Sequence, residues 1–180
     1  MTPGANARFP RTLAAVLTLA TLAALSSSAH AVDGCLALLC FAAPSWSSIA
    51  QCVAPVRQVL DDIAHGRPFP SCPMSDAENN ASLQWSSAPD YCPPQYTLAI
   101  ALESGFTYTC EYSGAVEVRI DGALWSRTWW HICPGDSITE FSSAAKSQLG
   151  GWNTRFEDDY TAVLAAQQPP PPTSCPNCAA

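Results

Sequence analysis

The sequence predicts an α+β fold in which a disulfide-stapled N-terminal helical hairpin, a small antiparallel β-meander and a C-terminal helix form one exported domain. Three observations support this prediction. Apolar residues recur at helical spacing in residues 49–66, the period changes to two from Tyr96, and a helical period returns after Asn153. Nine cysteines in a chain of 180 residues add the expectation of covalent cross-links.

Residues 1–31 have the pattern of a secretory signal peptide. Two arginines precede the apolar run of residues 12–25, and Ala29-His30-Ala31 follows it. A basic start, an apolar run of about 7–15 residues and an A-x-A end are typical of a cleaved export signal. A membrane-spanning helix needs about 20 apolar residues, so this run is too short for an anchor. We therefore expect cleavage between Ala31 and Val32.

The mature part of the chain is acidic. It holds all fifteen acidic residues but only six of the eight lysines and arginines. Nucleic-acid binding needs clustered basic side chains to neutralise phosphates, so this balance argues against direct contact with nucleic acid. It also provides no polybasic patch for anionic lipid. No later segment is long and apolar enough to span a bilayer, so we expect no transmembrane anchor after signal removal.

The cysteines are best interpreted as structural disulfides. Five positions separate Cys35 from Cys40, which places them about 140° apart on a helix and favours different bonding partners. The cysteines of the body, which exclude the C-terminal CPNC, are widely spaced and lack the paired knuckles of a zinc site. An odd total leaves the connectivity open, and acylation of Cys35, as in a lipoprotein, is an alternative. The disulfide candidates are Cys35, Cys40, Cys52, Cys72, Cys92, Cys110, Cys133, Cys175 and Cys178.

Residues 32–74 predict a helical hairpin. GCLALLCFAA, residues 34–43, is a short apolar helix that ends at Pro44. A second helix follows in residues 49–66 and ends at Gly66. Cys72 lies after the turn, where it is placed to cross-link the hairpin. The apolar face of the second helix consists of Val56, Val59, Leu60 and Ile63.

Residues 73–95 are rich in Ser, Asn, Asp and Pro and predict a loop. Residues 96–133 predict the β-meander, packed on the helices, because four segments rich in β-branched and aromatic residues are separated by turn signals. One of these signals, Asp121-Gly122, is typical of a tight hairpin. The four segments are YTLAIALE, FTYTCEY, AVEVRI and ALWSRTWWHI.

Two further helices are predicted before the chain leaves the domain at residue 167. ITEFSSAAKSQL, residues 138–149, predicts a short one. Residues 153–167 predict a longer one, with Asn153 as its cap and acidic residues in its early turns. Its apolar stripe is Phe156, Tyr160, Val163 and Leu164. Residues 168–180, which contain four consecutive prolines and end in CPNC, predict a flexible tail.

The sequence predicts no catalytic, cofactor or metal site. Only His65 and His131 follow the signal, and no nucleophile elbow, P-loop or dinucleotide motif is present. The adjacent tryptophans Trp129 and Trp130 point to opposite faces of a strand. One of them must lie away from the packed side unless the sheet is covered on both faces, so both are candidates for partner contact.

The order of motifs in residues 33–74 resembles the TrbM/KikA/MpfK family of conjugal transfer proteins. The matching segments are DGCLALLCFAAP, AQCVAPVRQVL and RPFPSC, and they make Cys35, Cys40, Cys52 and Cys72 the family-like cysteines. The resemblance implies a non-enzymatic periplasmic accessory protein of mating-pair formation, which contacts other envelope proteins of a type IV secretion system. Two alternatives are a thiol-disulfide oxidoreductase using CPNC and a generic secreted disulfide-rich binding module.

Overall fold

The computed structural model describes residues 32–132 and 136–168; the predicted signal peptide, Cys133 and the CPNC tail lie outside these residues. The described part has the predicted α+β architecture, with disulfide-bonded helices, antiparallel strands and a C-terminal helix. Its helices and strands are α1 (Gly34–Ala42), α2 (Ala50–Ala64), β1 (Asn80–Trp85), β2 (Thr97–Leu102), β3 (Gly105–Cys110), β4 (Gly114–Ile120), β5 (Ala123–Trp130), β6 (Ile138–Phe141), α3 (Ser143–Gln148) and α4 (Arg155–Gln167).

Helices α1 and α2 form the N-terminal hairpin. Asp33 caps α1, because its carboxylate accepts the backbone N–H groups of Cys35 at 2.9 Å and Leu36 at 3.2 Å. The apolar face of α2 is buried against α1 and the sheet through Val56, Val59 and Ile63. Helical spacing in the sequence therefore identified the packed face of α2 correctly.

The main sheet has four antiparallel strands in the order β1-β4-β5-β6. Asp121 and Gly122 join β4 to β5 with φ angles of 51° and 73°. These positive angles are those of the tight turn that the Asp-Gly pair predicts. The central strands β4 and β5 are the most deeply buried, as expected for strands that have a neighbour on each side.

Each face of this sheet is covered. Helices α1 and α2 pack on one face, where Val116, Val118 and Trp130 join the N-terminal core. A second cluster covers the other face and includes Trp129 and Tyr112. The prediction that Trp129 or Trp130 is exposed for partner contact is therefore wrong: they are only 2% and 1% exposed because both faces of β5 are packed.

Three local predictions differ from the structure. Residues 73–95 contain β1, whose Ala81 and Leu83 pack towards the helices once β1 pairs with β4. The segment predicted as a helix over residues 138–149 begins instead as β6, and α3 starts only after Ser142, whose hydroxyl caps it. The meander is also interrupted, because β2 and β3 form a separate two-stranded sheet. Between β3 and β4 the chain turns at Tyr112, which is buried in the second cluster.

The C-terminal helix α4 is less buried than its apolar stripe predicts. Phe156 packs against Tyr96 with ring centroids 6.1 Å apart. Tyr160 and Leu164, further along the same stripe, remain exposed. Only the first part of α4 therefore contributes apolar packing to the described domain.

Candidate functional site

The strongest candidate for a functional surface is the β2–β3 hairpin, residues 97–110. Its strands pair antiparallel over six residues each, from Thr97 opposite Cys110 to Leu102 opposite Gly105. At about 3.3 Å per residue, each strand is roughly 20 Å long. None of its large apolar side chains is buried in either hydrophobic cluster of the described residues. The hairpin therefore projects from the packed part of the domain.

The two faces of the hairpin are both apolar. Side chains alternate along a strand, and residues directly opposite each other share a face. Leu98, Ile100 and Leu102 therefore lie on one face, which we call the leucine face. Phe106 and Tyr108 lie on the other, the aromatic face, opposite small alanines on β2. An ordinary two-layer sheet has one apolar face and one polar face, so this hairpin is unusual.

All five of these side chains are exposed, from 45% for Ile100 to 71% for Phe106. Isolated exposed apolar residues are common, but a contiguous exposed patch marks an interaction surface. The only charged residue in the hairpin is Glu103 at its tip. The tip and both faces therefore offer an apolar surface with a single negative charge.

The base of the hairpin is firmly attached to the second cluster. A disulfide joins Cys92 to Cys110 at the end of β3. Tyr96, immediately before β2, packs edge-on against Tyr112 with ring centroids 4.9 Å apart. Its hydroxyl also donates a hydrogen bond of 2.7 Å to Asp159 on α4. Burial, together with this carboxylate, raises the pKa of Tyr96, so its hydroxyl stays protonated as a donor.

Six of the predicted disulfide cysteines form three bridges: Cys35–Cys72, Cys40–Cys52 and Cys92–Cys110. Cys35 and Cys40 bond different partners, as their angular separation on α1 predicts. The lipoprotein alternative fails in this structure because a sulfur already bonded to Cys72 is not free to carry a lipid. Cys133, Cys175 and Cys178 lie outside the described residues, and the oxidoreductase alternative depends on the last two.

A charged network on the second face of the sheet is structural in character. Glu117 on β4 is buried and accepts hydrogen bonds from Arg127 Nε at 2.7 Å and from the Tyr91 hydroxyl at 2.8 Å. Burial by itself would raise the pKa of Glu117, but these two donors hold it below its usual value. Arg127 also approaches Glu140 on β6 at 3.7 Å. The network links three strands and a loop, and it pairs the buried Glu117 with Arg127.

The remaining polar features do not assemble a reactive site in the described residues. His65 and His131 are both exposed. A cavity of about 270 Å³ is lined by Trp46, Arg57 and Arg155, but Arg155 is held by Asp136, and no described histidine or cysteine lines it. Within residues 32–132 and 136–168, no three metal-ligating side chains come together.

The described residues form a disulfide-bonded α+β domain with a projecting apolar hairpin. Three disulfides are typical of a protein that folds in an oxidising compartment outside the cytoplasm. None of the helices in the described ranges has the length and apolarity needed to cross a membrane. Compared with known proteins, the chain matches no family model, no curated protein and no solved structure.

Proposed function

We propose that this chain is an exported, non-enzymatic accessory protein of conjugative DNA transfer that acts in the periplasm through protein–protein contacts. The observation that carries the binding role is the β2–β3 hairpin, which exposes five large apolar side chains on two faces. Exposing this much apolar surface is unfavourable in water, and a partner that covers it provides the compensating burial.

The link to conjugation rests on the resemblance of residues 33–74 to the TrbM/KikA/MpfK family. The four family-like cysteines form two bridges with each other, Cys35–Cys72 and Cys40–Cys52. That segment is thus cross-linked as a self-contained unit, which supports its comparison with a family whose resemblance covers the same residues. Export is supported by the signal pattern of residues 1–31 and by the disulfides.

The test is the mating frequency of a donor in which this gene is deleted in frame. We expect transfer to fall and to be restored by the wild-type gene supplied in trans. A version lacking residues 2–31 should not restore it, because it is not exported. Unchanged transfer after deletion, in liquid and on solid medium, would remove conjugation from the proposal.

A pair of point variants tests the role of the hairpin within the same assay. Phe106→Ser removes an apolar side chain from the aromatic face, and we expect this variant to restore transfer poorly. Leu39→Ser is the matched control, since Leu39 is 67% exposed on α1, away from the hairpin. If both variants restore transfer fully, the contact surface lies elsewhere on the molecule.

A further inference from the structure

We infer that the β2–β3 hairpin inserts, tip first, into an apolar cleft with a basic floor and rim on a different protein. This inference rests on the proposed function in one respect, namely that the chain acts through protein contacts. It goes further by stating the shape and chemistry of the partner site. Three independent features of the hairpin lead to it: its two apolar faces, its exposed area and its charge.

The two faces require a partner that surrounds the hairpin. A flat partner surface that covers the leucine face leaves Phe106 and Tyr108 in water, and covering the aromatic face leaves Leu98, Ile100 and Leu102 exposed. A two-stranded ribbon alone is marginally stable in water and gains stability when another layer packs on it. A cleft supplies a layer on each face at once.

The exposed apolar area of one hairpin face is too small to hold two copies together face to face by itself. Side chains of this size present roughly 200 Å² each when fully exposed, so the five offer on the order of 500 Å², with roughly 300 Å² on the leucine face. A specific interface buries about 800 Å² on each partner. One face is far below that value, whereas both faces together with the tip approach it.

The charge of the hairpin and of the domain indicates a basic partner. Residues 97–110 contain no lysine or arginine, and their only charge is Glu103 at the tip. Glu111 follows the hairpin directly, and the chain after residue 31 holds fifteen acidic residues against six basic ones. Electrostatic complementarity therefore favours basic side chains on the floor and rim of the cleft. The same charges disfavour an anionic lipid surface, which attracts basic segments.

The test places a photoreactive amino acid at single positions of the full chain in donor cells that carry the transfer apparatus. Ile100 reports on the leucine face, Tyr108 on the aromatic face, and the exposed Gln58 on α2 serves as the control. After illumination, adducts are purified and the cross-linked partner is identified by mass spectrometry. We expect Ile100 and Tyr108 to yield the same partner polypeptide, and Gln58 to yield no such adduct.

A second arm tests the charge. Glu103→Lys should lower the adduct yield at Ile100 by about tenfold because like charges meet in the cleft, while Glu103→Gln should lower it much less. The third arm mixes the purified mature protein with vesicles of phosphatidylethanolamine and phosphatidylglycerol, and we expect no co-sedimentation. Fluorescence of the buried tryptophans checks that every variant is folded.

Several results would overturn the inference. Adducts from one face alone would indicate a flat partner, an adduct of twice the chain mass would indicate a second copy, and vesicle binding abolished by Phe106→Ser would indicate a membrane. No adduct at either face, or equal yields from the lysine and glutamine variants of Glu103, would also contradict it. The outcome is separable from that of the mating test: adducts from both faces with normal transfer after gene deletion keep the cleft and refute the conjugative role.

Discussion

The disulfide Cys40–Cys52 should stabilise the domain more than Cys35–Cys72, although it closes a much shorter loop. Loop closure alone gives the opposite order. The sequence separations of 12 and 37 residues correspond to about 2.8 and 3.8 kcal/mol from chain entropy. Burial reverses this order. Cys40 and Cys52 are 1% and 5% exposed in the N-terminal core, whereas both cysteines of the other bridge are partly exposed.

Replacing each pair by alanines separates the two effects. Each sulfur removed from the core leaves a space about the size of a methylene group, which costs about 1 kcal/mol. The C40A/C52A variant should therefore lose about 5 kcal/mol, and the C35A/C72A variant about 4 kcal/mol. Urea unfolding of the mature domain, followed by tryptophan fluorescence, to which the buried Trp129 and Trp130 contribute, measures both. A larger loss for C35A/C72A would show that loop closure outweighs packing here and refute the reasoning.

Three further predictions use the same unfolding assay. Gly34→Ala should cost about 1–3 kcal/mol, because the added Cβ would overlap the carbonyl of Ser71. The control Gly150→Ala, which has open space around it, should change stability by less than about 0.5 kcal/mol. Equal effects of the two substitutions would refute this account of Gly34. Glu117→Gln should lower the free energy of unfolding by about 2 kcal/mol at pH 7. Because the pKa of Glu117 is depressed in the folded protein, the stability it contributes is present above the unfolded pKa of 4.5 and is lost as the pH falls through the folded pKa. A difference in unfolding free energy from wild type that stays constant down to pH 3 would contradict this. Phe106→Ser should leave the urea midpoint nearly unchanged, since this side chain packs in neither core, and a large loss would show that the hairpin supports the fold.

Helical periodicity and turn chemistry made the N-terminal hairpin predictable. The spacing of Val56, Val59 and Ile63 predicted the buried face of α2. The angle between Cys35 and Cys40 on α1 predicted that they bond different partners. These signals are local, since each follows from the geometry of a single helix. The identity of those partners was not local, and it required the chain to fold back after α2.

The strands that the sequence missed are short and depend on their neighbours. β1 places Ala81, Leu83 and the half-exposed Trp85 on its inward face, and its strand conformation is stabilised by pairing with β4. β6 has four residues, of which Ile138 and Phe141 are buried on opposite faces, so it shows no alternating pattern. Their spacing of three positions instead suits a helix, which is what the sequence predicted. Propensity says little about such segments because packing against other elements decides them.

The sequence did not predict that the β2–β3 hairpin projects from the domain, because its strands resemble ordinary core strands. A useful signal was nevertheless present: between Thr97 and Cys110 neither face carries a charged side chain, and only Glu103 in the turn is ionised. A meander strand packed on helices has one face in water and normally carries charges there. The error at Trp129 and Trp130 is the opposite one, since exposure was predicted and burial is observed. Adjacent large apolar residues indicated one exposed side chain, but packing on both faces of β5 buries both.

The helices and the β2–β3 hairpin are attached to different hydrophobic clusters, on opposite faces of the main sheet. The family-like helices pack on one face of the sheet, and the hairpin is anchored through Tyr96 and Cys110 to the cluster on the other face. Strand β5 lies between them and contributes Trp130 to the first cluster and Trp129 to the second. Changes in the exposed hairpin side chains therefore leave the helical half intact. We therefore propose that residues 33–74 act as the scaffold and that partner specificity resides in residues 97–110, where substitutions alter the exposed surface without altering the core.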